Sequence, residues 1–557
     1  MIIVFQPSTV GYVLIGDCWF HVDTVLSDHV LCTEIVHRDI QIDPLSYIAR
    51  RIVKEWLERC TTTHQECSKG RHSDPLFPTR ILRIGKKGDN QVHLVEPNGQ
   101  RGKYVALSHC WGKERNFTTT LETLQSRKDG ILISELPKTF QDAIKVVHEI
   151  GLQYLWIDSL CIIQDSQQDW EVESARMSYV YSNSHVTLAA SRAVSDAQGF
   201  LQARTPETII FEPTPGIVLN HGDRRQGPCE DVPFRKTPLC RRAWAVQERY
   251  LSRRTIFFDD SQTFWACQQV SATEDGQESY ALRHRASISS LTRFMSPEKA
   301  SSRIANPLNT DSQDVLPYWR WYAMVCSYMD CDITKKSDRL PALAGLATEI
   351  AMRTKEKYYA GLWEHGLIEG LAWQCFKRQP RDVPQYRAPS WSWASLETGL
   401  IFVAFQGHNK LASVVDVQVE NLSCNPYGEV TGGSLVMDAH LQPVKAIARN
   451  DVSTKTRYWS LGMQIVDKWY WVTTVLDREE DHTKPLLVLF LAQTNDKCRV
   501  IALAVSPIEQ NSNNYRRVGA TWSDIKDAPN NPQVGYSVCG GIYLDIESLA
   551  RERVTLV

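Results

Sequence analysis

Three short segments hold side chains whose types and spacing could do chemistry. In Arg241-Arg-Ala-Trp-Ala-Val-Gln-Glu248, Trp244 and Glu248 stand four residues apart, so on a helix the indole and the carboxylate share one face. The bland role for Glu248 is a solvated ion pair with Arg242 or Arg249, worth under about 1 kcal/mol. The turn Ser108-His-Cys-Trp-Gly112 combines a hydroxyl, an imidazole, an indole face and a glycine that lets a ligand approach the backbone closely. Ser108 and His109 could hold a ribose or a phosphate there, with Trp111 stacking. The bland counterpart is a tight turn in which Trp111 plugs the core and His109 is satisfied locally. Asp158 ends the apolar run Tyr-Leu-Trp-Ile, where an unpaired carboxylate would be costly. It should therefore bond to backbone donors of the following loop or to a ligand.

Cysteine chemistry is the second option. Cys110, Cys161 and His109 have the residue types of a Cys-His hydrolase or acyltransferase, which needs a lowered thiol pKa and a base in reach. A buried cysteine beside a sheet is more often a small hydrophobe. Cys60-x3-His64-x2-Cys67 offers three metal ligands, too few for a closed zinc site without a distant fourth, and no metal is assigned. Asp165 reads as a helix cap, Trp170 as core, and Glu173 with Arg176 as a solvated pair. Trp391 and Trp393 would point the same way on a strand and pack a core domain against a β-rich tail; an aromatic binding slot is the alternative.

These residues need elements to position them. Residues 44–60 space Ile48, Ile52, Trp56 and Leu57 helically and lead into Cys60. Strands are expected at 104–107, 154–157 and 186–190. Between them, one helix starts near Pro137 and stops at Gly151, and another covers 170–181. A helix over 239–250 precedes strands at 255–258 and 264–267. Such alternation predicts an α/β fold with a mostly parallel sheet. In such a sheet ligands bind beyond the carboxyl ends of the strands. The Ser108–Gly112 turn, the loop from Asp158 to Asp165 and the helix of Glu248 should converge there.

The domain reading is a segment of residues 1–43 with no assigned role, an α/β domain at 44–275 with an insertion at about 195–235, a linker and helical region at 276–384, and a β-rich domain at 385–557. Length and composition suit this: 557 residues, 43% hydrophobic and 23% charged. A net charge of −2 gives no electrostatic reason to expect nucleic acid or an anionic membrane as partner. Fifteen dispersed cysteines suit a reducing compartment, and no apolar run is long enough to span a membrane. A cytoplasmic location is expected. No P-loop is present, so activation should come from self-association, a partner protein or expression level.

Six segments in order carry a family resemblance. They are Trp56-Leu-x2-Cys60-x3-His64-x2-Cys67, Tyr104-Val-Ala-Leu-Ser-His-Cys-Trp-Gly112, Leu136-Pro-Lys-Thr-Phe140 running through Tyr154-Leu-Trp-Ile-Asp158 to Asp165, Arg241–Glu248 with Trp265-Ala-Cys267, Asp338-Arg-Leu-Pro-Ala-Leu-Ala-Gly345, and Ala388-Pro-Ser-Trp-Ser-Trp-Ala-Ser395. Together they resemble the fungal heterokaryon-incompatibility (HET) family, over roughly residues 45–400. Cys240 departs from the pattern, standing where the family more often has an aromatic. The resemblance implies a role in non-self recognition between fused cells, ending in growth arrest or cell death. It also implies a TIR/flavodoxin-like core, and many TIR domains cleave NAD. On that likeness Glu248 is the candidate catalytic carboxylate. Ser108, His109, Trp111, Gly112, Asp158 and Trp244 are candidate binding residues, NAD is the candidate substrate, and no cofactor is permanently bound. The alternatives are a non-catalytic signalling or oligomerisation module and a Cys-dependent enzyme.

Overall fold

Short strands buried on both faces, alternating with helices, give the first part of the chain an α/β core. The computed structural model describes residues 38–68, 74–113, 117–204, 237–276, 291, 318–375, 386–448 except 398, 403–407 and 424, 459–527 except 466–467, 511 and 525, and 544–557. It also describes strands at 2–5, 11–15, 18–25, 208–210, 217–220 and 278–280. The chain divides into two compact units, Met1–Ser290 and Leu291–Val557. Most of the expected 195–235 insertion and the first part of the expected linker after 275 lie outside the described residues.

The first unit opens with β1 (Ile2–Phe5), β2 (Gly11–Ile15), β3 (Cys18–Val25), α1 (Tyr47–Thr63) and α2 (Gln65–Ser68). There follow β4 (Ile81–Arg83), β5 (Gln91–Val95), β6 (Val105–Ser108), α3 (Leu124–Asp129), β7 (Ile131–Leu132) and α4 (Lys138–Glu149). Next come β8 (Tyr154–Ile157), α5 (Asp158–Cys161), α6 (Gln167–Asn183), β9 (Val186–Ala189), β10 (Thr208–Ile210) and β11 (Ile217–Asn220). The unit ends with α7 (Ala243–Leu251), β12 (Arg254–Phe258), β13 (Thr263–Cys267), β14 (Val270–Thr273) and β15 (Glu278–Tyr280). The N-terminal strands β1–β3 pair with β11 and β10 in an antiparallel sheet, so the segment without an assigned role joins part of the expected insertion.

The main sheet runs β15-β14-β13-β12-β9-β6-β8-β4-β5-β7. Only its centre is parallel, in the order β8-β6-β9-β12; both wings are antiparallel. The expectation of a mostly parallel sheet thus meets a mixed one. The reason is local: β12 and β13 are close enough in sequence to turn back on each other, whereas β6, β8 and β9 are separated by helices. By position in the chain, the parallel strands are ordered 2-1-3-4, the opening of a flavodoxin-type sheet. The direction of winding reverses between β6 and β9, and the carboxyl ends of those two strands are where such sheets bind ligands.

Helix α4 shows why the sequence folds this way. Phe140, Ala143, Ile144 and Val147 recur at helical spacing and are all buried. Pro137 stands as the N-cap, just outside the first turn. Gly151, at φ 78°, lets the chain leave after Ile150.

The second unit contains helices Trp319–Met329, Pro341–Thr354 and Leu367–Leu371 and a largely antiparallel sheet organised on the strand Val430–Ala448. Its core includes Leu461, Val488, Phe490 and Ala502, all fully buried. Trp391 and Trp393 do not alternate along a strand: Ser392 caps a short 3-10 turn, Trp393–Ser395. Both indoles are fully buried inside this unit, where the Gly361 carbonyl accepts hydrogen bonds from Trp393 and Trp321 at 3.0 and 3.1 Å. Among the described residues no helix is long and apolar enough to cross a membrane, and the described cysteines are free thiols.

Candidate functional site

The three segments meet at the winding reversal. Strand β6 delivers Ser108 at its last position, β8 runs directly into α5 at Asp158, and α7 carries Glu248. The Ser108 hydroxyl donates a short hydrogen bond to Glu248 Oε2. The Tyr181 hydroxyl, from α6, also hydrogen-bonds to Glu248 and donates to the Leu107 carbonyl at 3.2 Å. Asp158 accepts from Trp111 Nε1 at 2.9 Å and from the Ser159 amide at 2.7 Å. A backbone donor and an indole therefore satisfy the carboxylate that ends this buried strand. Arg242, half-buried at the start of α7, donates to the His109 carbonyl and so ties the helix to the Ser108–Gly112 turn.

Glu248 is only 2% exposed, which removes the solvated-pair role. Burial pushes its pKa from 4.5 up to about 7, and the Asp158 charge adds to the rise. Arg242 and the Ser108 and Tyr181 hydroxyls oppose it. A carboxyl group titrating near neutrality can take or give a proton at physiological pH. His109 departs from expectation in another way. Among the described residues neither ring nitrogen has a hydrogen-bond partner, although the ring is 1% exposed. It lies edge-on to Phe140 at 5.1 Å, with Nδ1 3.7 Å from Asp158. Burial lowers its pKa to about 4, so the imidazole is neutral at pH 7 and is no ion-pair partner of Asp158.

Trp244 is half-buried and meets Trp170 edge-on at 6.4 Å, which makes Trp170 part of the α6–α7 contact. Asp165 does not cap α6. Ser166 does, accepting from the Asp169 amide, while Asp165 accepts from the Leu121 amide at 2.9 Å. Nor is Glu173 solvated: it is 3% exposed, accepts from Thr79 at 2.7 Å and lies 3.6 Å from Arg176. The Cys-dependent alternative meets an electrostatic obstacle. Burial pushes the Cys110 thiol up to about 11 and Cys161 to about 12, so both hold their protons at neutral pH.

Two contributors escaped the sequence reading. Tyr181, at the end of the helix expected over 170–181, is not among the candidate site residues. Arg80, 5% exposed, donates to the Cys161 carbonyl at 2.8 Å and pairs with Asp169, which fixes the loop after Asp158. Its only sequence signal is a charge directly before an apolar strand. A hollow of about 400 Å³ lined by Arg38, Trp56, Arg59, Thr62 and Glu278 contains none of the candidate side chains.

Gly112 holds the turn at φ 82°, and a Cβ built there would come within 2.6 Å of Ser195 Cβ. Gly112→Ala should destabilise the domain by roughly 2–4 kcal/mol. Gly151→Ala, at φ 78° with open space around it, should lose only about 1 kcal/mol. Urea midpoints compare the two; equal losses would mean that the close approach to Ser195 contributes nothing.

Residues 104–248 match the family described as heterokaryon incompatibility protein (HET). No curated protein and no solved structure matches the chain. The matched span opens at Tyr104 and closes at Glu248, so it encloses the Ser108 turn, the Asp158 loop and the carboxylate helix. Residues 104–248 are thus similar to a heterokaryon incompatibility (HET) domain.

Proposed function

We propose that the protein acts in fungal non-self recognition and that its HET domain cleaves the nicotinamide–ribose bond of NAD, which leads to growth arrest or death of the fused cell. The observation that carries this reading is Glu248, buried beside Ser108 at the winding reversal with a pKa raised to about 7. The 2-1-3-4 order of the parallel strands agrees with a TIR-like ancestry. In the reaction the C1′–N bond breaks and its electron pair goes to the nicotinamide ring. Positive charge develops on the ribose, and ionised Glu248 stabilises it more in the transition state than in the ground state. Water then adds at C1′ and passes its proton to Glu248, leaving ADP-ribose and free nicotinamide. Trp111 and Trp244 offer indole faces to the bases, and Ser108 positions the carboxylate.

A non-catalytic signalling module is the second reading; it predicts an exposed Glu248, which the 2% exposure does not match, and no turnover of any nucleotide. On the first reading the site must open when the protein self-associates or meets a partner. Purified full-length protein, assayed with NAD at rising protein concentration, should release nicotinamide at a rate that climbs faster than linearly. If release is absent throughout, or persists undiminished in Glu248→Ala, the catalytic reading fails. Toxicity in cells that survives the same substitution would support the signalling reading.

A further inference from the structure

We propose that Cys60, His64, Cys67 and Cys267 form a structural zinc site in the first unit. Their four ligand atoms lie within 4.8 Å of one another, and all four side chains are buried, at 0%, 6%, 2% and 6% exposure. Tetrahedral zinc with Zn–S bonds of about 2.3 Å sets sulfur atoms about 3.8 Å apart, so closing this cluster around the ion needs only small side-chain movements. Three soft sulfurs and one imidazole favour zinc over hard cations, and a fourth protein ligand leaves no open position for catalysis.

Local structure explains how a short motif supplies three of the ligands. Cys60 and His64 stand one helical turn apart, with His64 as the C-cap of α1. The chain turns there into α2, which brings Cys67 back to them. The fourth ligand comes from 203 residues further on: Cys267, the last residue of β13, places its sulfur 3.3 Å from His64 Nδ1. This is the distant ligand that the Cys60–Cys67 segment lacks on its own.

The surroundings are those of a thiolate cluster. The Val270 amide donates to Cys267 Sγ at 3.2 Å, and Arg254 Nε donates to Cys60 Sγ at 3.1 Å. Such N–H···S bonds orient thiolates and spread their charge. Three thiolates, a neutral imidazole and a divalent ion sum to −1, and the buried Arg254 guanidinium brings the group to neutrality. The ion would clip α1 to the end of β13.

Metal content of the full-length protein, expressed with zinc and purified without chelators, tests this. About one zinc per chain is expected in the wild type and in Cys498→Ser, a thiol outside the cluster. At least a ~10-fold lower content is expected in Cys267→Ser. Cobalt(II) in place of zinc should give the sulfur-to-metal charge-transfer bands of a tetrahedral thiolate site. Folded wild-type protein that carries no zinc and gives no such bands overturns the proposal, as does full zinc content in Cys267→Ser. Should that variant not fold, the wild-type zinc count and cobalt spectrum decide alone.

Discussion

Glu248→Gln is expected to lower nicotinamide release by about 10²–10³-fold, the range for removing one electrostatic contact to a transition state. Glutamine keeps the size of the side chain and an oxygen that can accept from Ser108. On the proposed reaction it could not supply the negative charge that stabilises the ribose cation. Wild-type activity should rise with pH through about 7, as the buried carboxyl ionises. The same substitution makes an opposite prediction for stability. Glu248 binds its proton more tightly in the folded chain (about 7) than at its ordinary 4.5. Below pH 4.5 both states are protonated and the group is neutral towards folding. As the pH rises through the folded pKa, the unfolded chain has already released the proton, and about 3 kcal/mol of stability is lost. Glu248→Gln escapes that loss, so its advantage in denaturant unfolding should be absent in acid and grow to a plateau above about pH 7. His109, with its pKa lowered by burial, acts in the other direction: its contribution is present above 6.5 and lost as the pH falls through about 4. Being common to both proteins, it subtracts out. Parallel stability curves for the two proteins would show that the carboxyl is not destabilised by burial.

The largest expected effect on folding lies at Glu274. This carboxylate and Arg204 are 1% and 0% exposed and 2.6 Å apart. Glu274 also accepts from the amides of Gln41 and Thr263, both at 2.9 Å, while Arg204 reaches Thr263 and the Gln41 carbonyl. The pair thus joins the segment before α1, the chain after β9 and the β13–β14 hairpin. Glu274→Ala strands a buried guanidinium and should destabilise the unit by about 3–5 kcal/mol, lowering the melting temperature by roughly 10 °C. Replacing both charges, as Arg204→Met with Glu274→Leu, should recover most of that loss, because no uncompensated charge remains. If the double variant is as unstable as the two single losses added, the pairing is not what stabilises this corner.

Both predictions rest on residues whose environment no local pattern reveals. The alternation of short apolar runs with helical periodicity announced β6, β8, β9 and β12 and the helices between them, because each element's burial is written in its own spacing. The antiparallel wings were less legible: β4 and β5 are short, and nothing in them says which neighbour they will join. Convergence of the Ser108 turn, Asp158 and Glu248 also followed from sequence, since strands in a parallel core share one carboxyl edge.

What the sequence determined by itself, then, is the identity of the elements and the edge of the sheet at which the candidate side chains gather. Tertiary structure alone decided how wet each side chain is and which remote groups face it. That is how Glu248 became a buried acid rather than a solvated partner of arginine, and how Cys267 came to stand against His64. The physical reason is range. Helical and strand periodicity act over a few residues, whereas desolvation and side-chain pairing depend on chain segments up to two hundred positions away, brought together only when the sheet closes.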